Sequence, residues 1–383
     1  MFGWGSKAEA AAPERKRSAA GRVAAWGASG RPVWSARDTG TLMRLGFQTN
    51  PVGHRCVKLI AEAAAAVPVA VAGREGRFAV HPVLDRLERP NPAQGRTEFL
   101  EACYGQLLLT GNAYVEAVGP GGWPDELHVL RSDRMSVVPG ADGWPVGYDY
   151  AMGGRTHRFR VGEVSPVAHL RFFHPSDDHY GLSPMTAAAG AVDVHNAASA
   201  WSKALLDNAA RPSGAIVNGG EEMSAEQFDR LSAELEASHQ GARNAGRPML
   251  LDGGLDWKPM GFSPSDMEFQ RTKEAAAREI ATAFGVPPMM LGIPGDATYA
   301  NYAEANRAFY RLTVLPLVGR VCEGLGAWLA DHGGERIRLE ADRDRVPALQ
   351  SERDGEWRRI GEAAFLSDAE KRAMLGLPPA GDA

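Results

Sequence analysis

The sequence predicts an α+β chain, and three observations carry that expectation. Helix-start signals precede apolar periodicity at Asn50-Pro51 and at Thr97. Six strand-like segments follow between residues 112 and 173, parted by turn residues at short intervals. Three long helical patterns come after them, over 183–210, 265–284 and 299–330, with Pro- and Gly-rich joints between. The 383 residues, 44% apolar and 23% charged, have the composition of a soluble globular protein with room for more than one compact unit.

Charge and cysteine content exclude several classes. The net charge of −5 gives no sign of a general nucleic-acid binder. Residues 1–40 hold seven Lys or Arg against three acids, so the rest of the chain is the more acidic part. Cys56, Cys103 and Cys322 lie far apart, which speaks against a disulfide scaffold or a zinc ribbon. The most apolar run, 59–72, is broken by Glu62 and Pro68 and is too short to span a membrane. The basic N-terminus lacks the apolar segment of a signal peptide, so a cytosol-like compartment is expected.

Residues 1–40, rich in Ala, Gly and Arg, read as a flexible arm, and the cluster Glu14-Arg15-Lys16-Arg17 as a solvated tail. Asn50 is a good N-cap and Pro51 suits the first helical position; Val52, Cys56, Leu59, Ile60 and Ala63 make one face. A strand at VPVAV and a short helix over 81–89 follow, closed by the breaker Pro90-Asn91-Pro92. Gly111 is placed to end the helix that starts at Thr97. The strands are NAYVEAV, DELHVL, MSVVPG, WPVGYDYAM, THRFRV and VAHLRFF, in a mostly antiparallel arrangement.

The helix over 183–210 spans roughly 40 Å and is faced mainly with Ala, with Val192, Trp201, Leu205 and Leu206 as its larger groups. Such small side chains suit close packing in a ring of helices. Residues 211–263 read as a small α/β insertion: a strand at GAIVN, a helix capped by the Ser224–Gln227 pair, and a hairpin of RPMLLDGG with LDWKPMG. A second capping pair, Ser265 and Glu268, opens the next helix, whose outer positions alternate in sign. The helix over 299–330 is patterned by Tyr302, Ala305, Phe309, Leu312, Leu325 and Trp328 and should kink at Pro316. A strand, RIRLEAD, and polar helical sequence complete the chain.

No catalytic constellation stands out. Ser183 in GLSPM resembles a nucleophile elbow, but Met185 and Pro184 replace the small residue and the amide that the elbow needs, so a helix start is expected. His169, His174 and His179 are spaced too widely for a metal site on a regular element, and His169 reads as a core histidine. The acids of ADRDR lack a calcium loop's glycine, and no phosphate-binding glycine motif is present, so no cofactor and no metal are expected. The segment 295–307 offers Thr, Tyr and Asn side chains with little charge; Tyr299 and Tyr302 share a face if helical.

In this order the motifs resemble the portal proteins of long-tailed, siphovirus-like phages. The matching stretches are NPVGHRCVKLIAEAAAAVPV (50–69), ERPNPAQGRTEFLEACYGQLLLTGNAYVE (88–116), ELHVLRSDRMSVV (126–138), HYGLSPMTAA (179–188), NAARPSGAI (208–216), NAGRPMLLDGGLDWKPMGFSPSDMEF (244–269), EIATAFGVPPMMLG (279–292) and ATYANYAEANRAF (297–309). Small portals of this kind also occur in gene transfer agents. The resemblance implies a non-catalytic head–tail connector: a homo-oligomeric ring, usually a dodecamer, at one capsid vertex of a virion. Double-stranded DNA is packaged through it by a terminase motor and later ejected, and the ring meets a head–tail adaptor and the major capsid protein, with no membrane.

The family plan divides this chain into an arm (1–40), an α+β wing (41–182), a stem helix (183–210), a clip (211–263), a second stem helix (264–285), a tunnel loop (286–298), a kinked wing helix (299–331) and a small helical crown (332–383). Asp296, Thr298, Tyr299, Asn301 and Tyr302 become channel candidates. Ala191, Ala198, Trp201, Glu274 and Arg278 become stem-packing or inter-subunit candidates, and Ala198→Glu is expected to block assembly while leaving the monomer folded. Glu221, Glu222, Arg230 and Arg243 become clip contacts for motor or adaptor. Two other readings stay open: a head–tail adaptor or tail ring that contacts only proteins, and a serine hydrolase using Ser183.

Overall fold

The computed structural model describes residues 33–74, 76–78, 80–207, 214–218, 224, 226–227, 229–230, 255–259, 269–294 and 299–375. Two compact units emerge: Trp34–Trp201 with Glu268–Ala383, and Ser202–Met267 with Met1–Val33.

The larger unit begins with α1 (Thr39–Leu42), a π-helical turn (Met43–Gln48) and α2 (Pro51–Ala66). Asn50 caps α2 by accepting from the amides of Val52 and Gly53. Strand β1 (Val69–Ala72), α3 (Pro82–Glu88) and α4 (Arg96–Thr110) follow. α4 starts one residue before the expected Thr97, from Gly95, and ends at Gly111 in the left-handed region at φ 78°. The six expected strands are β2 (Asn112–Val118), β3 (Glu126–Leu130), β4 (Met135–Pro139), β5 (Pro145–Met152), β6 (Arg155–Arg160) and β7 (Val167–Arg171). They form two antiparallel sheets, β3-β2-β7 and β4-β5-β6, not one. The main core lies where α2 and α4 pack together, and Ile60, Phe99, Leu107 and Leu127 are fully buried in it. A smaller core of Tyr114, Met135, Tyr148, Phe159 and Val167 closes the second sheet.

Helix α5 runs Pro184–Asp207. In the smaller unit, β8 (Gly214–Asn218) pairs antiparallel with β9 (Leu255–Pro259). The expected partner of β9, RPMLLDGG, lies outside the described residues, as do the Ser265–Glu268 cap and the side chains of Leu205 and Leu206. The Ser224–Gln227 cap is made reciprocally, 2.9 and 3.2 Å.

Helix α6 (Phe269–Phe284) buries Ala276, Ala277, Ile280, Ala281 and Phe284. The third long helix is not a simple kinked rod. It consists of α7 (Tyr299–Phe309), a π-helical turn (Tyr310–Val314) and α8 (Leu315–Gly333). Pro316 has no amide to give to the turn before it, and the ladder widens there. The widening inserts a residue, about 100° of helical phase, and corrects one expectation: Leu312 is 75% exposed, while Val314, Val318 and Val321 face the core. The stretch Asn301–Gly333 is long and apolar enough to cross a membrane by length and composition, unlike the shorter run 59–72, but 56% of its 18-residue apolar window is buried within the fold.

Strand β10 (Arg338–Ala341) pairs with β1, Val69 opposite Ala341. Ile337, Leu339, Val346 and Leu349 join the main core. Helices α9 (Gln350–Glu362) and α10 (Asp368–Met374) end the described chain.

Candidate functional site

The motifs singled out in the sequence are the fastenings of the long helices. Asn91 of Pro-Asn-Pro donates to the Leu127 carbonyl at 3.0 Å, and the Leu127 amide donates to Pro90 at 2.7 Å. This ties the breaker loop to β3. Gly111 and Gly181, from GNAY and GLSP, cross backbone on backbone: a Cβ at Gly181 would fall on the Gly111 carbonyl and lie 2.6 Å from the Phe172 amide. Asn112 Oδ1 accepts from the Gly181 amide at 2.8 Å and from His169 Nε2 at 3.0 Å. Burial, then the charges of Arg171 and His179, push His169 down to about 3, so it is a neutral partner stacked on Tyr114. It is the core histidine its strand implied.

Ser183 is buried and accepts from the Thr186 amide at 3.0 Å, the bond of a helix N-cap. Behind it, Met185 fills the space above two glycines: a Cβ on Gly46 would strike its sulfur, and one on Gly53 would strike the Gly46 carbonyl. Further along α5, Asn50 Nδ2 donates to Asn196 Oδ1 at 2.9 Å and lies 3.2 Å from His195 Nδ1. Asn196 donates on to the Leu45 carbonyl at 3.1 Å. Burial, and then the charge of Lys273, lower the His195 pKa, favouring the neutral ring that accepts from Asn50. The Asn cap was legible; its tie to His195 was not, because nothing local marks a buried His on an Ala-rich helix.

α6 ends where the candidate loop begins. Gly285, at φ 66°, takes the left-handed position; its amide donates to Thr282 and that of Val286 to Ala281, the two bonds of a Schellman cap. Val286 is buried, and Pro288–Leu291 form a 3-10 turn with Met290 and Leu291 against the core. The loop's first half is therefore packed rather than projecting. One hydroxyl links it to the π-helical turn: Thr313 Oγ1 donates to the Gly285 carbonyl at 2.6 Å. Arg278 donates to the Pro294 carbonyl.

Of the channel candidates, Asp296 and Thr298 lie outside the described residues, and Tyr299 opens α7. Asn301 is exposed and Tyr302 is 50% exposed, so Tyr302 is no core tyrosine. Trp201 stacks on Phe269 with centroids 3.7 Å apart, joining α5 to the start of α6, a contact with no sequence signal beyond two aromatics. Glu274 accepts from Gln270 at 2.6 Å. Ala191 and Ala198 are covered by their own chain. This corrects the expectation for Ala198→Glu, since a carboxylate there meets the monomer's interior before it meets a neighbour. Glu221, Glu222 and Arg243 lie outside the described residues, and Arg230 is exposed. All three cysteines are free and buried, their thiols pushed up to about 12 by burial. Among the described residues no His, Cys, Asp and Glu group could hold a metal ion.

Comparison with known proteins bears on this arrangement. A family model for phage portal protein matches residues 51–376. An uncharacterized protein of Rickettsia bellii is 39% identical over 339 residues, 87% of this chain and 88% of that protein. A chain in the neck of an empty gene transfer agent (GTA) particle, computed with C6 symmetry, is 68% identical with a TM-score of 0.73, over 91% of this chain and 96% of that one. A chain in the neck of the native GTA particle, computed with C12 symmetry, is 67% identical with a TM-score of 0.71, over 91% and 96%.

Proposed function

Because this chain belongs to the phage portal protein family, we propose that twelve copies form the ring-shaped channel at one vertex of a phage-like particle, through which DNA is packaged and ejected. The observation that carries this reading is the 67% identity, over nearly the full length of both chains, with a protein in a neck of C12 symmetry. The role is structural. The fastenings described above fit it: they fix α5 and α6 to the wing by backbone contacts and buried amides.

A conduit must let DNA slide. Neutralising many phosphates with Lys and Arg makes binding tight, and a chain of net charge −5 avoids that. Within this reading 41–182 is the wing, α5 and α6 are the stem, 211–263 is the clip that meets the terminase motor and the adaptor, and 286–298 is the tunnel loop. Asp296 and Thr298 of that loop face the channel, as do Tyr299, Asn301 and Tyr302 at the start of the wing helix 299–331. Residues 332–383 supply the crown. Electron microscopy of the purified full chain tests the proposal: a ring with an open centre wide enough for a duplex is expected. A monomer, or a ring with no passage, would overturn it.

A further inference from the structure

Among the described residues, the outer face of the third long helix has no cover within its own chain. Leu312 is 75% exposed, and Pro316 and Gly319 follow along the same face, both exposed. A Cβ on Gly319 would meet nothing within 4 Å. Beside them lies a groove of about 480 Å3 with Leu315 and Pro316 in its lining and Arg311, Arg320 and Arg343 against a single acid, Glu323. These cations are only partly committed. Arg311 lies 3.7 Å from Glu352, and Arg320 sits over the Phe172 ring at 5.9 Å. Arg343 has no ion pair among the described residues. The groove suits an occupant with negative charge and an apolar tip. A nucleic-acid strand supplies the first and not the second.

The same chain carries such an element. Between α9 and α10, Phe365 stands 86% exposed, with Glu362 and Asp368 exposed on either side. The turn is held: Ser367 and Glu370 form a reciprocal capping box, and Lys371 donates to the Gly361 carbonyl at 3.1 Å. The Arg311–Glu352 pair places the start of α9 at the groove. The rest of α9 then carries the chain about 15 Å along its axis before the Phe365 turn. Groove and knob are thus set apart on one chain and opposite in local charge: three arginines against one acid in the groove, Glu362 and Asp368 flanking the knob. Two different, complementary patches on identical copies make a head-to-tail contact, the kind that closes a ring by rotation.

We propose that the Phe365 knob of one copy seats in the Arg311–Arg320–Arg343 groove of the next. The proposal rests on the ring reading above and names the surfaces that close it. The test uses full-length protein with the paired substitutions Leu312→Cys and Phe365→Cys, the native cysteines being buried. Mild oxidation should give a ladder of covalent oligomers on a non-reducing denaturing gel, absent from either single variant. In parallel, Arg343→Glu and Glu362→Arg should each raise the concentration needed for ring assembly at least tenfold, and the double variant should restore it. All four positions are exposed, so thermal unfolding of the variants should match the parent.

If the parent forms rings while the cysteine pair gives no ladder and Arg343→Glu assembles normally, the inference is overturned and the ring reading stands. A parent that forms no ring overturns both. A duplex-DNA gel shift abolished by Arg343→Glu, with no ladder, assigns the groove to phosphate and also overturns the inference.

Discussion

Two joints in this chain are each built on a glycine, and they differ in kind. At the Gly111–Gly181 crossing, backbone lies on backbone, and Asn112 and His169 complete a buried set of hydrogen bonds. At Gly285, one half-buried threonine hydroxyl holds the exposed start of the loop to the π-helical turn. The first joint has no alternative arrangement that keeps its polar groups satisfied. The second can exchange its bond for water at little cost. The base of the long helices is thus fixed, while the bond that ties the packed turn of Val286, Met290 and Leu291 to the π-helical turn can adjust.

The largest effect that would break this comparison is at the crossing. Gly181→Ala puts a Cβ onto the Gly111 carbonyl, where backbone cannot yield as a side-chain tip can. It should cost about 3 kcal/mol, the upper range for forced overpacking, read as a lowered thermal midpoint and poor recovery of folded protein. A variant as stable as the parent would mean that the crossing has slack and that the two joints do not differ as argued.

A pH measurement sharpens the same contrast. Folded His169 takes its proton only near pH 3, whereas an unfolded histidine does so near its ordinary 6.5. Between those values the unfolded chain holds the extra proton. Stability from this group is complete above about pH 6.5 and falls as pH drops towards 3, by ~1.4 kcal/mol per pH unit. Parent and His169→Gln should therefore diverge between pH 6.5 and 5, the parent losing about 2 kcal/mol more. Parallel curves would show that His169 is not held neutral by the crossing.

What could be read in advance follows the range of the interactions. The caps at Asn50, Ser183 and Gly111 each depend on a few adjacent residues, so residue type alone announced them. That GNAY and GLSP meet depends on a contact across 69 residues, which no local pattern carries. Leu312 was misplaced for a different reason. A periodic reading assumes 3.6 residues per turn throughout, and the π-helical turn ahead of Pro316 breaks that phase, leaving an apolar residue on the outer face.

The smallest effect tests the second joint. Thr313→Val keeps the shape of the side chain and removes only the bond to the Gly285 carbonyl. Because Gly285 is exposed and Thr313 only half-buried, water can reach the freed carbonyl, and the cost should be about 1 kcal/mol. Global stability should hardly change, whereas amide exchange over 286–291 should quicken as the 3-10 turn loses its tether to the π-helical turn. Amides around Gly111 and Gly181 should exchange as in the parent. If Thr313→Val instead destabilised the whole unit as strongly as Gly181→Ala, the loop would be part of the fixed base, and the division between a rigid mount and an adjustable loop would fail.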